Sequence, residues 1–447
     1  MTKVMKSTSS SPKKPIDLLS GWPSPSLLPP LHLEAAAHSV LTDPQIAVQS
    51  LKYGPDEGYL PLREEIAKWL SRFYVPKNPV TLDRITITGG ASQNLACVLQ
   101  TFTDPIYTRN IWMVAPTYFL ACRVFDDNSF SGRLRGVPED DEGIDIDFLA
   151  KHIEASEKDA ASQGNTEPML KTGYPWRRTY KHIIYGVPTF ANPSGRLMSL
   201  RRREQLVRLA RKYDALIVTD DVYDMLQWPS EAGEDRSKFR KAVLPRIVDV
   251  DRYLDGGPIS EWGNALSNGS FSKIIAPGCR TGWAEAAPKL AWGLSQCGSS
   301  RSGGAPSHLV ASMIHQMMSK GELDQHMEQV LLPGYEKRFK RMMQAVQSRL
   351  IPLGVIIPQP DKDVSGGYFV WLTLPGSLDA EAIRKKVLEE ENVTVITGPK
   401  FRVAGDEDNE ATKFNQNIRL CFTYEDFDLL DEGVTRLARV IKSSLET

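Results

Sequence analysis

The sequence predicts an α/β protein: a three-layer large domain on a mainly parallel sheet, joined to a smaller α+β lobe on its C-terminal side. Two patterns predict it. From about residue 60 to residue 300, short apolar runs alternate with segments of helical period, the rhythm of crossover units around parallel strands. After Ser307 the order of elements changes, and a methionine-rich stretch opens a separate lobe.

Taken in order, Arg84 to Thr88 reads as a strand running into Gly89-Gly90. Leu95, Val98, Leu99 and Phe102 follow at i, i+3, i+4 and i+7, which makes one apolar helical face. Ile111 to Val114, Ile183 to Val187 and Leu216 to Thr219 are short apolar runs of the kind found in buried parallel strands. Between the last two, Leu206, Leu209, Ala210 and Tyr213 share a helical face. In the second lobe, Met313, Met317 and Met318 sit at helical spacing and read as core. A helix over Gly334 to Leu350, a strand over Tyr368 to Leu374 and a helix from Asp379 come next. The runs Val393 to Thr397 and Ile418 to Phe422 precede a last helix with Leu430, Val434, Leu437 and Ile441 in register. Ser156 to Tyr180, Pro229 to Gly269 and Arg402 to Gln416 are polar and read as loop insertions. The expected division is a tail over residues 1–16, an N-terminal segment 17–45 of the small lobe that covers substrate, a large domain 46–306 and a small domain 307–447.

Composition narrows the function classes. A net charge of -1 on 447 residues gives no global attraction for nucleic acid or a membrane surface. No apolar run has the length of a membrane span. The five cysteines, at 97, 122, 279, 297 and 421, form no CxxC pair, which argues against a zinc site or disulfide scaffold and suits a reducing compartment. Cys97 and Cys421 lie among apolar neighbours and read as core. The N-terminus carries Lys3, Lys6, Lys13 and Lys14 with no acid before Asp17, no apolar stretch and no arginine-rich amphipathic pattern. It reads as a disordered tail on a cytoplasmic protein rather than a secretory signal or a mitochondrial presequence.

Chemistry enters at Ser270-Phe271-Ser272-Lys273, with Arg280 seven residues after the lysine. Upstream stand Gly89-Gly90-Ala91-Ser92-Gln93, Ala115-Pro116-Thr117-Tyr118, Asn192-Pro193-Ser194-Gly195 and Asp220-Asp221-Val222-Tyr223; downstream stands Asn417-Ile418-Arg419-Leu420. Each supplies a part of one pyridoxal 5'-phosphate site. Lys273 is the amine that would carry the cofactor as a Schiff base. Ala91, Ser92 and Gln93 open a helix whose free N–H groups suit a phosphate, and Ser270, Ser272 and Arg280 complete the shell. Asp220 ends a strand, where open α/β folds place ligands, and its carboxylate would hold a pyridine nitrogen protonated. Tyr223 and Asn192 offer hydrogen bonds to the ring oxygen, and Tyr118 a stacking face.

In content and order these motifs resemble the class I/II aminotransferases of fold type I, in the subgroup of 2-aminoadipate and kynurenine aminotransferases. The likeness spans roughly residues 17 to 445 and includes Tyr53-Gly54-Pro55-Asp56-Glu57-Gly58-Tyr59 and Gly278-Cys279-Arg280-Thr281-Gly282-Trp283. It implies a homodimer with shared sites, in which Tyr53 reaches the partner's cofactor phosphate. It implies that Arg419 clamps the α-carboxylate of amino acid and 2-oxo acid substrates, and that Gly21-Trp22-Pro23 is a mobile cover. A buried anchor is the competing reading of Trp22. His308, in the stretch where the family lines its pocket, faces either substrate or, as is commoner, core or solvent. The tail lacks the helix that gives a basic residue to acidic substrates. Two further readings stay open: a lyase or bond-forming enzyme using the same cofactor, and an aminotransferase-like regulator, which would need a DNA-binding domain that the residues before Asp17 are too few to form.

Overall fold

The computed structural model describes residues 13–446 except for residues 172, 231–235, 302, 304–305, 359–362 and 377. Most of the expected tail, residues 1–12, lies outside the described residues. Its last part is ordered: Lys13 pairs with Glu391 at 2.7 Å, and β1 (Ile16–Asp17) lies beside a strand of the C-terminal lobe.

The large sheet contains β2 (Ile85–Thr88), β3 (Ile111–Ala115), β4 (Leu134–Asp140), β5 (Gly143–Ile144), β6 (His182–Gly186), β7 (Ala215–Asp220), β9 (Ala265–Ser270) and β10 (Gly282–Ala286). Their order across the sheet is β2-β10-β9-β7-β6-β3-β4-β5. β4, β3, β6, β7 and β9 are mutually parallel, while β10 runs antiparallel between β9 and β2. Because side chains alternate along a strand, each buried strand serves two cores. Ile111, Met113 and Ala115 face the helices Ala91–Phe102, Phe119–Phe125 and Pro288–Ser295. Trp112, Ile184 and Ile217 face Ile146–Ser162, Leu200–Lys212 and Ile247–Tyr253 on the other side. Three layers result.

β8 (Gln227–Pro229) pairs with β11 (Val364–Gly366) and ties the two lobes together. β12 (Phe369–Thr373), β14 (Ile396–Thr397) and β15 (Asn417–Cys421) form the small sheet, with β15 in the middle. β13 (Val393–Thr394) takes β1 as its parallel neighbour. The helices Leu60–Tyr74 and His308–Ser319 pack on each other, so one apolar core runs through both lobes. Met317 and Met318 are buried in it and Met313 packs against it. Cys97 and Cys421 are buried, and all five cysteines are unpaired.

Two of the expected loop insertions need correction. The helix Ile146–Ser162 continues through residues 156–162, where its solvent-facing turns are polar. More consequential, the stretch 229–269 contains the helix Ile247–Tyr253 and nearly all of the central strand β9. β9 reads Ala-Leu-Ser-Asn-Gly-Ser, yet every residue in it is buried. Hydrophobic pattern misses a strand whose side chains are buried because they are hydrogen-bonded. The stretch 402–416 is largely irregular, and Asp406 and Asn409 bind the backbone of Gly136 on β4.

Candidate active site

Parallel strands all present their carboxyl ends to one rim of the sheet, and the loops leaving that rim carry most of the site. β2 ends at Gly89-Gly90, which leads into the helix Ala91–Phe102. Gly90 has φ +98, and a Cβ there would sit 2.9 Å from Arg280 Nη2, so the glycine permits both the turn and the arginine's approach. Arg280 Nη1 donates to the Pro277 carbonyl at 2.7 Å and to Ser272 Oγ at 3.5 Å. Ser270 Oγ donates to Ser272 Oγ at 2.9 Å. Two hydroxyls, a guanidinium and the unpaired N–H groups of a helix start thus converge, the makings of a dianion site.

Lys273 follows β9. Its Nζ donates to the Gly21 carbonyl at 2.8 Å and lies 5.1 Å from the centre of the Tyr368 ring. Burial lowers the pKa of this amine to about 8, with Arg419 adding to the effect, so part of it is neutral near physiological pH.

Asp220, the last residue of β7, is buried. Tyr185 Oη donates to its Oδ2 at 2.5 Å and Asn268 Nδ2 to its Oδ1 at 2.7 Å. Burial pushes this carboxyl up to about 6, against the pull of those two donors. Among the described residues it has no ion pair, so its charge faces the cavity uncompensated.

Arg419, on β15, is buried beneath the opposite wall. Nη1 donates to Asn192 Oδ1 at 2.9 Å and Nη2 to the Leu19 carbonyl, while Nε has no partner. The guanidinium lies 4.1 Å from the centre of the Phe369 ring and 5.1 Å from that of Phe401. Burial lowers its pKa, and no described carboxylate pairs with it. A buried cation so placed calls for an anion from outside.

These groups share a cavity of about 390 Å³. Gly21, Trp22, Ala91, Ser92, Tyr118, Asn192, Asp220, Tyr223, Ser270, Ser272, Lys273, Arg280 and Arg419 all line it. Trp22 is 59% exposed, its ring edge-on to Tyr424 at 5.3 Å, so it is not a buried anchor. The Gln93 side chain lies behind the wall: Oε1 accepts from Gly89 N–H at 2.9 Å and Nε2 contacts Cys97 Sγ, which fixes the glycine turn from the rear. Tyr53 is 90% exposed and away from this chain's cavity. His308 packs in the notch left by Gly54, with its ring 4.9 Å from Tyr59, and does not line the cavity. Its neighbours 302, 304 and 305 lie outside the described residues.

Sequence reasoning missed Tyr185, Asn268, Leu19, Leu120, Phe369 and Ile396. Asn268 had a signal: it stands two residues before Ser270 and so shares its face of a strand.

The donor set fits pyridoxal phosphate. A buried carboxylate without a described ion pair would hold a protonated ring nitrogen, the hydroxyls, guanidinium and helix start would hold a phosphate, and the partly neutral amine lines the same cavity.

The family model described as aminotransferase class I and II matches residues 30–437. An uncharacterised protein of Saccharomyces cerevisiae is 33% identical, covering 96% of this chain and 97% of its own. Aromatic-amino-acid aminotransferase 1 of Thermococcus litoralis is 29% identical over 96% of this chain and 89% of its own. Among solved structures, LysN, the alpha-aminoadipate aminotransferase of Thermus thermophilus complexed with N-(5'-phosphopyridoxyl)-L-leucine, superposes with a TM-score of 0.73. It is 28% identical and covers 97% of this chain and 93% of that one. These relatives favour transamination over lyase and bond-forming chemistry. The chain belongs to the class I and II aminotransferases, and its reaction is the transfer of an amino group between an amino acid and a 2-oxo acid.

Proposed function

We propose that Lys273 binds pyridoxal phosphate and that the preferred amino donor is an L-amino acid with a large apolar or aromatic side chain. The carrying observation is the charge inventory of the cavity. Its charged lining residues are Asp220, Lys273, Arg280 and Arg419. The first three are engaged by the cofactor's ring, aldehyde and phosphate, and Arg419 by the α-carboxylate. No cation among the described lining residues remains for a second carboxylate. The walls left for a side chain are Leu19, Trp22, Phe119, Leu120 and Ile396, and such a surface favours apolar groups by the area it buries. The Thermococcus litoralis relative, named for aromatic amino acids, agrees with this reading, while LysN is named for the acidic alpha-aminoadipate.

Pyridoxal phosphate, when bound, supplies an aldehyde carbon for amine exchange and a ring that withdraws electrons from the substrate Cα. The chain's own residues do the rest. Arg419 orients the substrate carboxylate, and Asp220 keeps its negative charge against the ring nitrogen. Lys273 Nζ, once free, would take the proton from the substrate Cα and deliver it to the cofactor's aldehyde carbon, across the nitrogen that joins the two. Tyr53 serves the partner subunit's phosphate in a homodimer, as its exposure in the single chain allows. Five unpaired cysteines accord with the cytoplasm.

Two measurements test this. Borohydride reduction and peptide mapping are expected to label Lys273, and Lys273→Ala to lose nearly all turnover while still binding the cofactor. A panel of donors is expected to rank aromatic and large aliphatic amino acids above glutamate and 2-aminoadipate. A label on another lysine, or a preference for acidic donors, would overturn the corresponding half of the proposal.

A further inference from the structure

We propose that Asn268 is a positioning residue that sets the spacing between the Asp220 carboxylate and the phosphate-binding start of the helix Ala91–Phe102. The inference rests on the pyridoxal phosphate reading above. β9 and β7 are paired in the register that puts Asn268 directly beside Asp220. Nδ2 of Asn268 donates twice, to Asp220 Oδ1 at 2.7 Å and to the Ala91 carbonyl at 3.0 Å. Its Oδ1 accepts from Asn94 Nδ2 at 2.9 Å. The side chain is fully buried.

These partners fix the amide's orientation. A flipped amide would set its oxygen against a carboxylate and a carbonyl, and its NH2 against another NH2. One planar group is thereby fastened at both ends, to the strand carrying the ring-nitrogen carboxylate and to the first turn of the helix carrying the phosphate N–H groups. A rigid cofactor needs those two anchors at a set separation, and hydrogen-bonded support of this kind holds a binding constellation in place. An apolar residue at position 268 would fill the space and fasten nothing. Ser267 and Asp221, the neighbouring pair, bond to each other and take no part in the bridge.

The bridge also bears on charge. The titratable groups facing Asp220 are Tyr185 on β6, Tyr118 before the helix Phe119–Phe125, and Tyr223 after β7. Burial holds all three phenols above their ordinary range. No described cation pairs with Asp220, so its ionised form leans on the donors from Tyr185 and Asn268. Loss of one donor moves the carboxyl further up from about 6.

The test is pyridoxal phosphate binding, followed by tryptophan fluorescence across pH, in wild type, Asn268→Ala and Asn94→Ala. Asn268→Ala is expected to weaken binding about tenfold to a hundredfold, the loss of one charge-assisted hydrogen bond. Binding should fall off on the acid side at a higher pH than in wild type. Asn94→Ala, which frees the amide oxygen but leaves Asp220 its donor, is expected to lose less affinity with the acid limb unmoved, and it stands in should Asn268→Ala not fold. Melting temperatures of the cofactor-free proteins separate a purely structural role. Lower melting with unchanged Kd and acid limb overturns the proposal, as does wild-type binding in both variants. A wild-type protein that does not bind pyridoxal phosphate sinks the earlier reading before any variant is compared.

Discussion

Arg419 has two neutral oxygens, two ring faces and no carboxylate for company. Arg419→Ala is expected to raise KM for every amino acid substrate while pyridoxal phosphate still binds, a loss on the order of 2–3 kcal/mol in kcat/KM. Arg419→Lys should also be impaired, because a point charge cannot replace a planar fork that meets both carboxylate oxygens. Steady-state kinetics beside a cofactor titration read both effects, and an unchanged KM across substrates removes Arg419 from the substrate's reach. Asp220 has the opposite problem, a buried anion held up at about 6. Between the ordinary aspartate range and that pH, the folded protein keeps a proton which the unfolded chain has released. Stability of the cofactor-free protein therefore falls as pH rises through this window, and the full cost is present above about 6. Cofactor-free Asp220→Asn is expected to be about 1–3 kcal/mol more stable than wild type at pH 8. The gain should vanish in mild acid, with denaturant melts at the two pH values as the check. Equal stabilities at both would mean that the charge is compensated in the folded chain.

Single strands and helices show which signals in the sequence carry structure. The helix Ala91–Phe102 was legible because Leu95, Val98, Leu99 and Phe102 all enter one core. β9 was not, because Ser267, Asn268 and Ser270 are buried by hydrogen bonds rather than by apolar contact. β10 is mixed: Trp283, Ala284 and Ala286 enter the apolar cores, while Glu285 is held by Arg84 and Arg246. The motif Ser270-Phe271-Ser272-Lys273 was therefore readable as chemistry before the strand that presents it was readable as a strand. Gln93 and Trp22 mark another limit. Sequence order names the residues of a turn or cover, but which of them faces the cavity depends on packing. Gly269 on β9 pairs with Trp283 on β10, and an added Cβ there would land on the Trp283 indole. Gly269→Ala is expected to cost about 1–3 kcal/mol by overpacking. A melting temperature equal to wild type would show that Trp283 can move aside.

On the scale of the whole molecule, Tyr53 is 90% exposed, and Val48 and Leu51 close by are 50% and 66% exposed. A two-fold dimer is expected to cover this region, and sedimentation at assay concentration is the check; an active monomer would leave Tyr53 without a role. Within one chain, connections between its two ends meet at the substrate end of the cavity. Leu19 and Arg419 are bonded across 400 residues, and Trp22 and Thr423 across 401. β1 has β13 as its neighbour, and the Leu18 carbonyl receives Cys421 N–H at 2.8 Å. During synthesis the strands of the large sheet leave the ribosome well before β15 exists, so the segment that carries Gly21 and Trp22 lacks its contacts to Arg419, Cys421 and Thr423 until translation is nearly complete. Contacts of such separation form late, since the loop they close is close to the whole chain. A growing chain can therefore assemble Ser270, Ser272, Lys273 and Arg280 while it still lacks Arg419. With Arg419 in the role proposed for it, competence for catalysis arrives with the final strands, and a polypeptide abandoned by the ribosome shortly before β15 is expected to be inactive.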